Sequence, residues 1–182
     1  MQTLIVTGLF FAVSCNDDDN TPPLPAIGEP YQGGILAYVD ETGKHGLIAA
    51  PTDLSVGTQI VFAWWNGSYI TTGATLTAIG TGQSNTTKIV QAQGNGSYAA
   101  KLCDDLVLNG YSDWFLPSKD ELNVLYQNRN LIGGFGSDFG YWSSSQREDY
   151  NCFAWIHYFF SGEQVNDDET EQGYRVRAVR AF

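Results

Sequence analysis

The sequence predicts an α+β domain in which a twisted antiparallel sheet carries two helices and long irregular loops. The observations behind this prediction are an early pair of β-rich apolar runs, two amphipathic helical segments, and a β-rich C-terminal part. The chain has 182 residues, of which 43% are hydrophobic and 14% aromatic. That is enough apolar material for one folded core.

The first element is the run GGILAYVDETGKHGLIAAP at residues 33–51. Its two apolar halves flank a polar centre, which predicts a β-hairpin with Gly43 in the turn. His45 falls at the start of the second strand. Residues 52–96 are rich in Gly, Thr, Ser and Asn with weak periodicity, which predicts a long irregular segment of functional interest.

Two segments have helical periodicity. In Ser97–Gly110, Tyr98 and Leu102 share one face with later apolar residues, which predicts an amphipathic helix. In the second segment, Ser118 and Glu121 have the spacing of a capping box, which predicts a helix start directly after Pro117.

The C-terminal part predicts three strands with turns between them. The strands are Tyr141 to Ser144, Ala154 to Phe160 and Tyr174 to Phe182, and the turns lie at 147–151 and 161–172. The last strand carries Arg175, Arg177 and Arg180, which we expect to pair with nearby acids.

The N-terminus has the features of a secreted, anchored protein. Residues 1–14 are uncharged, mostly apolar and too short to span a bilayer, and they end at Cys15. This stretch resembles a bacterial lipoprotein leader, in which the cysteine becomes the acylated N-terminus. Residues 15–30, rich in Asp and Pro, are typical of a tether, and residues 31–182 form the predicted domain. We expect a lipid-anchored protein on the bacterial outer membrane, with its domain at the cell surface.

The net charge is −11, with nine Lys and Arg against twenty Asp and Glu. Nucleic-acid binding needs a basic patch that releases counterions, so the composition argues against a nucleic-acid partner. We expect the only membrane contact to run through the lipid at Cys15.

Several motifs follow one another in the order of a known family. They are G-G-I-L, A-x-x-L-C, D-W-F-L-P-S-x-x-E-L, Y-W-S-S-S, A-W and V-R-A-V-R, between Tyr31 and Phe182. In this order they resemble the C-terminal domain family of the Legionella collagen-like adhesin. The resemblance implies a C-type-lectin-like fold and an extracellular, non-enzymatic binding module whose adhesin members attach to sulfated glycosaminoglycans. A net charge of −11 disfavours that ligand here.

The same resemblance leaves open whether the cysteines of the domain form a disulfide. Many members carry a cysteine in the last strand, where this chain has Ala178, so Cys152 is the remaining partner for Cys103. Outside the cytoplasm the two could be bridged, but their spacing does not establish contact. A Cys103–Cys152 disulfide and two free thiols both stay open.

Binding is favoured over catalysis. The chain lacks a G-x-S-x-G elbow and a recognisable cysteine-enzyme signature. The predicted ligand, a glycan or an extracellular protein, is expected at loop aromatics and their polar neighbours, because sugars stack on such rings. These residues are Trp64, Trp65, Asn66, Tyr69, Asp149 and Tyr150. Trp114, Trp142 and Trp155 are predicted to belong to the core.

Two other functions remain as alternatives, an enzyme modifying carbohydrate or protein on the related formylglycine-generating-enzyme fold, and a structural component of a surface assembly. No cofactor is predicted. Calcium is a weak candidate at Asp167, Asp168 and Glu169, within an acidic run that a solvated turn explains more simply.

Overall fold

The computed structural model describes residues 23–150, 152–168 and 173–182. The predicted leader and the first part of the tether, residues 1–22, lie outside the described residues. One sheet has the order β1-β2-β3-β7 and the other β4-β5-β6, and every pairing in them is antiparallel. The strands are β1 (Pro30–Tyr31), β2 (Gly34–Val39), β3 (Gly46–Ala49), β4 (Gly140–Gln146), β5 (Phe153–Tyr158), β6 (Gln164–Asp168) and β7 (Val179–Ala181). The helices are α1 (Gly82–Gln93), α2 (Ala99–Asp104), α3 (Lys119–Gln127) and α4 (Arg129–Ile132).

The α+β class is confirmed, and so is the early hairpin. Strands β2 and β3 pair in antiparallel register, and Gly43 adopts a φ of 72° in the turn between them. A side chain rarely tolerates that conformation, which is why glycine suits the position. Residues before Tyr31 already join this sheet, because the Gly28 amide donates to the Leu36 carbonyl at 2.8 Å.

The predicted capping box at the start of α3 is confirmed. The Ser118 hydroxyl accepts from the Glu121 amide, and the Glu121 carboxylate accepts from the Ser118 amide at 2.7 Å. Glu121 is buried and also accepts from the Gly80 amide at 2.8 Å. Burial raises the pKa of this carboxyl group. The cap therefore also holds the loop before α1 against α3.

Several details differ from the prediction, among them the last strand, which covers only Val179–Ala181 of the predicted Tyr174 to Phe182. The segment 52–96 is not irregular throughout, because it contains α1. Helix α2 is shorter than Ser97–Gly110, and its N-cap residue is Tyr98, whose side chain makes no capping hydrogen bond. The predicted turn at 161–172 contains β6, which pairs with β5.

The core consists of two clusters of buried side chains. One includes Trp64, Trp114 and Trp142, and the other lies where α3 packs, with Leu122 and Leu125. The core positions predicted for Trp114 and Trp142 are confirmed. Trp155 is only half-buried and belongs to neither cluster, so its core prediction is wrong.

The arginines of the C-terminal segment pair with acids, as expected. Arg177 is fully buried and its Nε lies 2.8 Å from Asp53 Oδ1. Arg180 Nε lies 2.7 Å from Asp113, whose pKa it lowers by hydrogen bonding. Arg175 contacts both Asp53 and Asp138. These charges are neutralised within the fold.

Candidate functional site

Adjacent tryptophans in the loop before α1 point in different directions. Trp64 is fully buried, and its indole nitrogen donates to the Ser143 carbonyl at 2.8 Å. Trp65 is half-buried. The prediction of Trp64 as a ligand-binding residue is therefore wrong, because its ring is enclosed by the core and offers no face to a ligand.

Trp65 and Tyr69 form a stacked pair at the surface. Their ring centroids are 5.0 Å apart with an interplanar angle of 28°. Tyr69 is 46% exposed, and its hydroxyl donates to Asp168 Oδ1 at 3.0 Å. The pair is thus anchored to the end of β6 while part of its apolar surface stays in contact with water.

Asn66 braces the loop that carries this pair. Its side-chain nitrogen donates to the Gln93 carbonyl at 3.0 Å and to the Asn95 carbonyl at 2.7 Å. Its backbone amide donates to Gln93 Oε1 at 2.6 Å. Both side-chain protons are engaged within the protein, so Asn66 positions the loop.

The other end of the loop is fixed to the second sheet by Gln146. The carboxamide oxygen of this buried residue accepts from the Thr72 amide at 2.9 Å, and its nitrogen donates to the Ile70 carbonyl at 2.8 Å. Buried side-chain to backbone bonds of this kind resist loop movement. The loop aromatics are therefore presented on a fixed support.

Tyr150 lies on the turn between β4 and β5 and is 54% exposed. Its ring makes an edge contact with Phe153 at 6.2 Å, and the Arg147 guanidinium lies 4.8 Å from its centroid. Asp149 is an exposed neighbour, 3.9 Å from Arg147. This turn therefore presents the exposed aromatic ring of Tyr150 together with a positive charge from Arg147 and a negative charge from Asp149.

The Trp65–Tyr69 pair and the turn that carries Tyr150 lie at the same end of the second sheet, where β5 begins and β6 ends. Phe153, which contacts Tyr150, is the register partner of Asp168, which bonds Tyr69. We call Trp65, Tyr69, Tyr150, Phe153 and Asp168 the aromatic loop surface. The structure brings the predicted residues Trp65, Tyr69, Asp149 and Tyr150 to this one end of the second sheet. Phe153 was missed because it lies in a strand and not in a loop.

Residues 64–180 match the Lcl C-terminal domain. The chain belongs to the Lcl C-terminal domain family. The family predicted from the motifs is confirmed, and the protein contains an adhesin-associated domain. No curated protein matches the chain. The matched range includes all of the aromatic loop surface.

The calcium candidates of this Lcl C-terminal domain are engaged with protein groups. Asp167 Oδ2 accepts from the Tyr174 hydroxyl, and Asp168 accepts from Tyr69. Consecutive strand residues point to opposite faces, so the two carboxylates do not converge. Glu169 lies outside the described residues. Within the described ranges, no group of three His, Cys, Asp or Glu side chains could hold a metal ion.

The Cys103–Cys152 disulfide is not formed in the structure. Both cysteines are free thiols, with Cys103 fully buried in the core and Cys152 half-buried beside the turn before β5. Burial raises the pKa of the Cys103 thiol well above its usual value. The thiolate is the nucleophilic form, so Cys103 is unsuited to nucleophilic catalysis.

A cavity of about 350 Å³ lies away from the aromatic loop surface, at the turn end of the β2–β3 hairpin. Its lining includes Tyr38, Ile79 and Phe182, together with Asp40 and His45. Asp40 accepts from the Thr42 hydroxyl at 2.7 Å, and this bond lowers its pKa. The carboxylate is thus used to shape the hairpin turn.

Across the described part of the chain, no helix is long and apolar enough to cross a membrane.

Proposed function

We propose that this protein is a surface-anchored lipoprotein whose Lcl C-terminal domain is non-enzymatic and binds a glycan or a protein ligand through the aromatic loop surface. The observation that carries the proposal is the stacked Trp65–Tyr69 pair, which is partly exposed while its loop is fixed to the end of α1 at one side and to the buried Gln146 at the other. A rigid aromatic platform loses little conformational entropy when a ligand settles on it.

The chemistry of the surface supports recognition without catalysis. Aromatic rings offer apolar area to the faces of sugars or to side chains of a protein. Asp149 and Arg147 stand beside Tyr150 and can exchange hydrogen bonds with polar ligand groups. The buried Cys103 takes no part in such a surface.

The proposed location rests on the sequence of the N-terminus. Acylation at Cys15 would tether the domain to the bacterial outer membrane, and the Asp- and Pro-rich segment after it would hold the domain away from the lipid. A binding module for an external ligand is suited to the outer face.

A glycan-array screen of the purified protein, with calcium and with chelator, tests the proposal. A Trp65→Ala, Tyr69→Ala double variant should abolish saturable binding. The matched control is Phe160→Ala, which removes a 66% exposed aromatic ring outside the aromatic loop surface and should leave binding unchanged.

Immobilised extracellular proteins, screened with the same variants, complete the test. Turnover of an array glycan or an immobilised protein would instead favour the enzyme alternative. Absence of saturable binding to both panels by a folded protein would contradict the proposed function and favour a structural role in a surface assembly.

A further inference from the structure

Trp155 differs from the tryptophans of the core. It is half-buried, and its ring is covered by the Lys119 ammonium, whose Nζ lies 3.7 Å from the ring centroid. Residues two apart on a strand share a face, so Trp155 follows Phe153 of the aromatic loop surface. Its register partner Asn166 is two residues before Asp168 on β6. Trp155 therefore continues the aromatic loop surface along the sheet.

Lys119 is held over this ring by its backbone. Its amide donates to the Ser145 hydroxyl at 3.0 Å, and its carbonyl accepts from the Gln164 side chain at 2.8 Å. Within the described ranges, no carboxylate lies within ion-pair distance of the ammonium group. The positive charge is thus placed on an aromatic face in a strongly acidic protein.

The net charge of the protein favours cationic ligands, although Lys119 and Arg147 also stand at this face. Arg175, Arg177 and Arg180 are neutralised by internal carboxylates, so these three residues do not form a basic strip that could receive a polyanion. The side chain of Asp149 is 75% exposed, and Asp168 lies next to Phe153 at the end of the sheet. With a net charge of −11, the protein attracts positively charged ligands over a distance.

We propose that the aromatic loop surface extends over Trp155 and receives a lysine- or arginine-bearing segment of a partner protein, whose cation replaces Lys119 on the indole ring. The inference rests on the proposed function and names its ligand. A protein segment fits better than an uncharged sugar, because the indole face already holds an alkyl ammonium group. Lys119 then acts as an internal competitor for the site.

Titration of the purified protein with a fluorescent peptide of alternating lysine and glycine tests the inference by anisotropy. Trp155→Ala should weaken binding, whereas Lys119→Met should strengthen it about two- to fivefold, the equivalent of one exposed cation–π contact. Lys44→Met is the matched control, since it removes the same charge from the exposed hairpin turn. The Lys44→Met substitution should raise the affinity for the peptide by a smaller factor than the Lys119→Met substitution does.

Equal effects of Lys119→Met and Lys44→Met would overturn the inference, because only net charge would then matter. Weaker binding by Lys119→Met would overturn it as well, and so would preference for a peptide of alternating glutamate and glycine or for a glucosamine oligomer. If Trp65→Ala, Tyr69→Ala abolishes ligand binding while Trp155→Ala and Lys119→Met change nothing, the proposed function stands and this inference fails.

Discussion

Replacing Asp53 with alanine should destabilise the protein strongly, because this carboxylate is the shared partner of two arginines. Its Oδ1 lies 2.8 Å from Arg177 Nε, and its Oδ2 lies 3.3 Å from Arg175 Nη1. Oδ2 also accepts from the Tyr141 hydroxyl at 2.7 Å. The side chain of Arg177 is 0% exposed and that of Asp53 is 9% exposed.

The expected loss follows from this burial. Removing one partner of a buried ion pair leaves an uncompensated charge and costs about 3–5 kcal/mol. A domain is stable by only about 5–15 kcal/mol, so the variant would lose a large share of its stability. The exposed pair of Arg175 with Asp138 is the contrast, since the Asp138 side chain is 54% exposed. An exposed pair contributes little to stability, so Asp138→Ala should have little effect.

Urea denaturation followed by circular dichroism measures both variants. With a slope of about 2 kcal/mol/M, a loss of about 4 kcal/mol lowers the midpoint by about 2 M. The Asp138→Ala midpoint should stay within about 0.5 M of the unmodified protein. Equal midpoints for Asp53→Ala and Asp138→Ala would refute the assignment of Arg177 as a buried charge that depends on Asp53.

Three further predictions concern other parts of the fold. Burial lowers the pKa of His157 from 6.5 to about 4, so as the pH falls through this range the unfolded chain binds the proton first. The free energy of unfolding should therefore decrease between those pH values, and His157→Leu should flatten that slope in denaturation curves. Trp64→Ala should cost about 3–5 kcal/mol by opening a cavity, whereas Trp65→Ala should cost less than about 1 kcal/mol, as thermal unfolding would show. Alkylation of the native protein, read by mass spectrometry, should modify Cys152 faster than the buried Cys103, and protection of both thiols until reduction would instead indicate a disulfide.

Structural features that depend on only a few neighbouring residues could be predicted from the sequence. The capping box of α3 needs only Ser118 and Glu121 at the right spacing, and the hairpin needs two apolar runs around Gly43. In both cases the hydrogen bonds that define the feature connect residues close in the chain. The sequence therefore contained all of the information that these elements require.

Helix α1 could not be predicted in this way, because part of its buried face is polar. Asn85 and Thr86 are buried, and their burial is tolerated because the Asn85 side chain donates to the Leu76 carbonyl at 2.6 Å and the Thr86 hydroxyl accepts from the Leu116 amide at 3.0 Å. Such partners come from elsewhere in the fold, so the helix carries little apolar periodicity. Strand β6 is similar, since its acidic residues form a strand by pairing with β5.

At Trp64 and Trp65 of the candidate site, too, the sequence alone does not predict the arrangement, because it depends on partners from elsewhere in the fold. Alternation along an extended chain predicts that adjacent side chains point to opposite sides, but it does not say which one is buried. In the structure, the Ser143 carbonyl accepts a hydrogen bond from the Trp64 indole, which is buried. Asp168 accepts a hydrogen bond from Tyr69, and Trp65 stacks on the Tyr69 ring. The buried tryptophan thus fixes the backbone from which the other is presented. Under the proposed function, Trp64 is a core anchor and Trp65 an exposed ring beside it, so substitutions at the two positions should separate stability from binding.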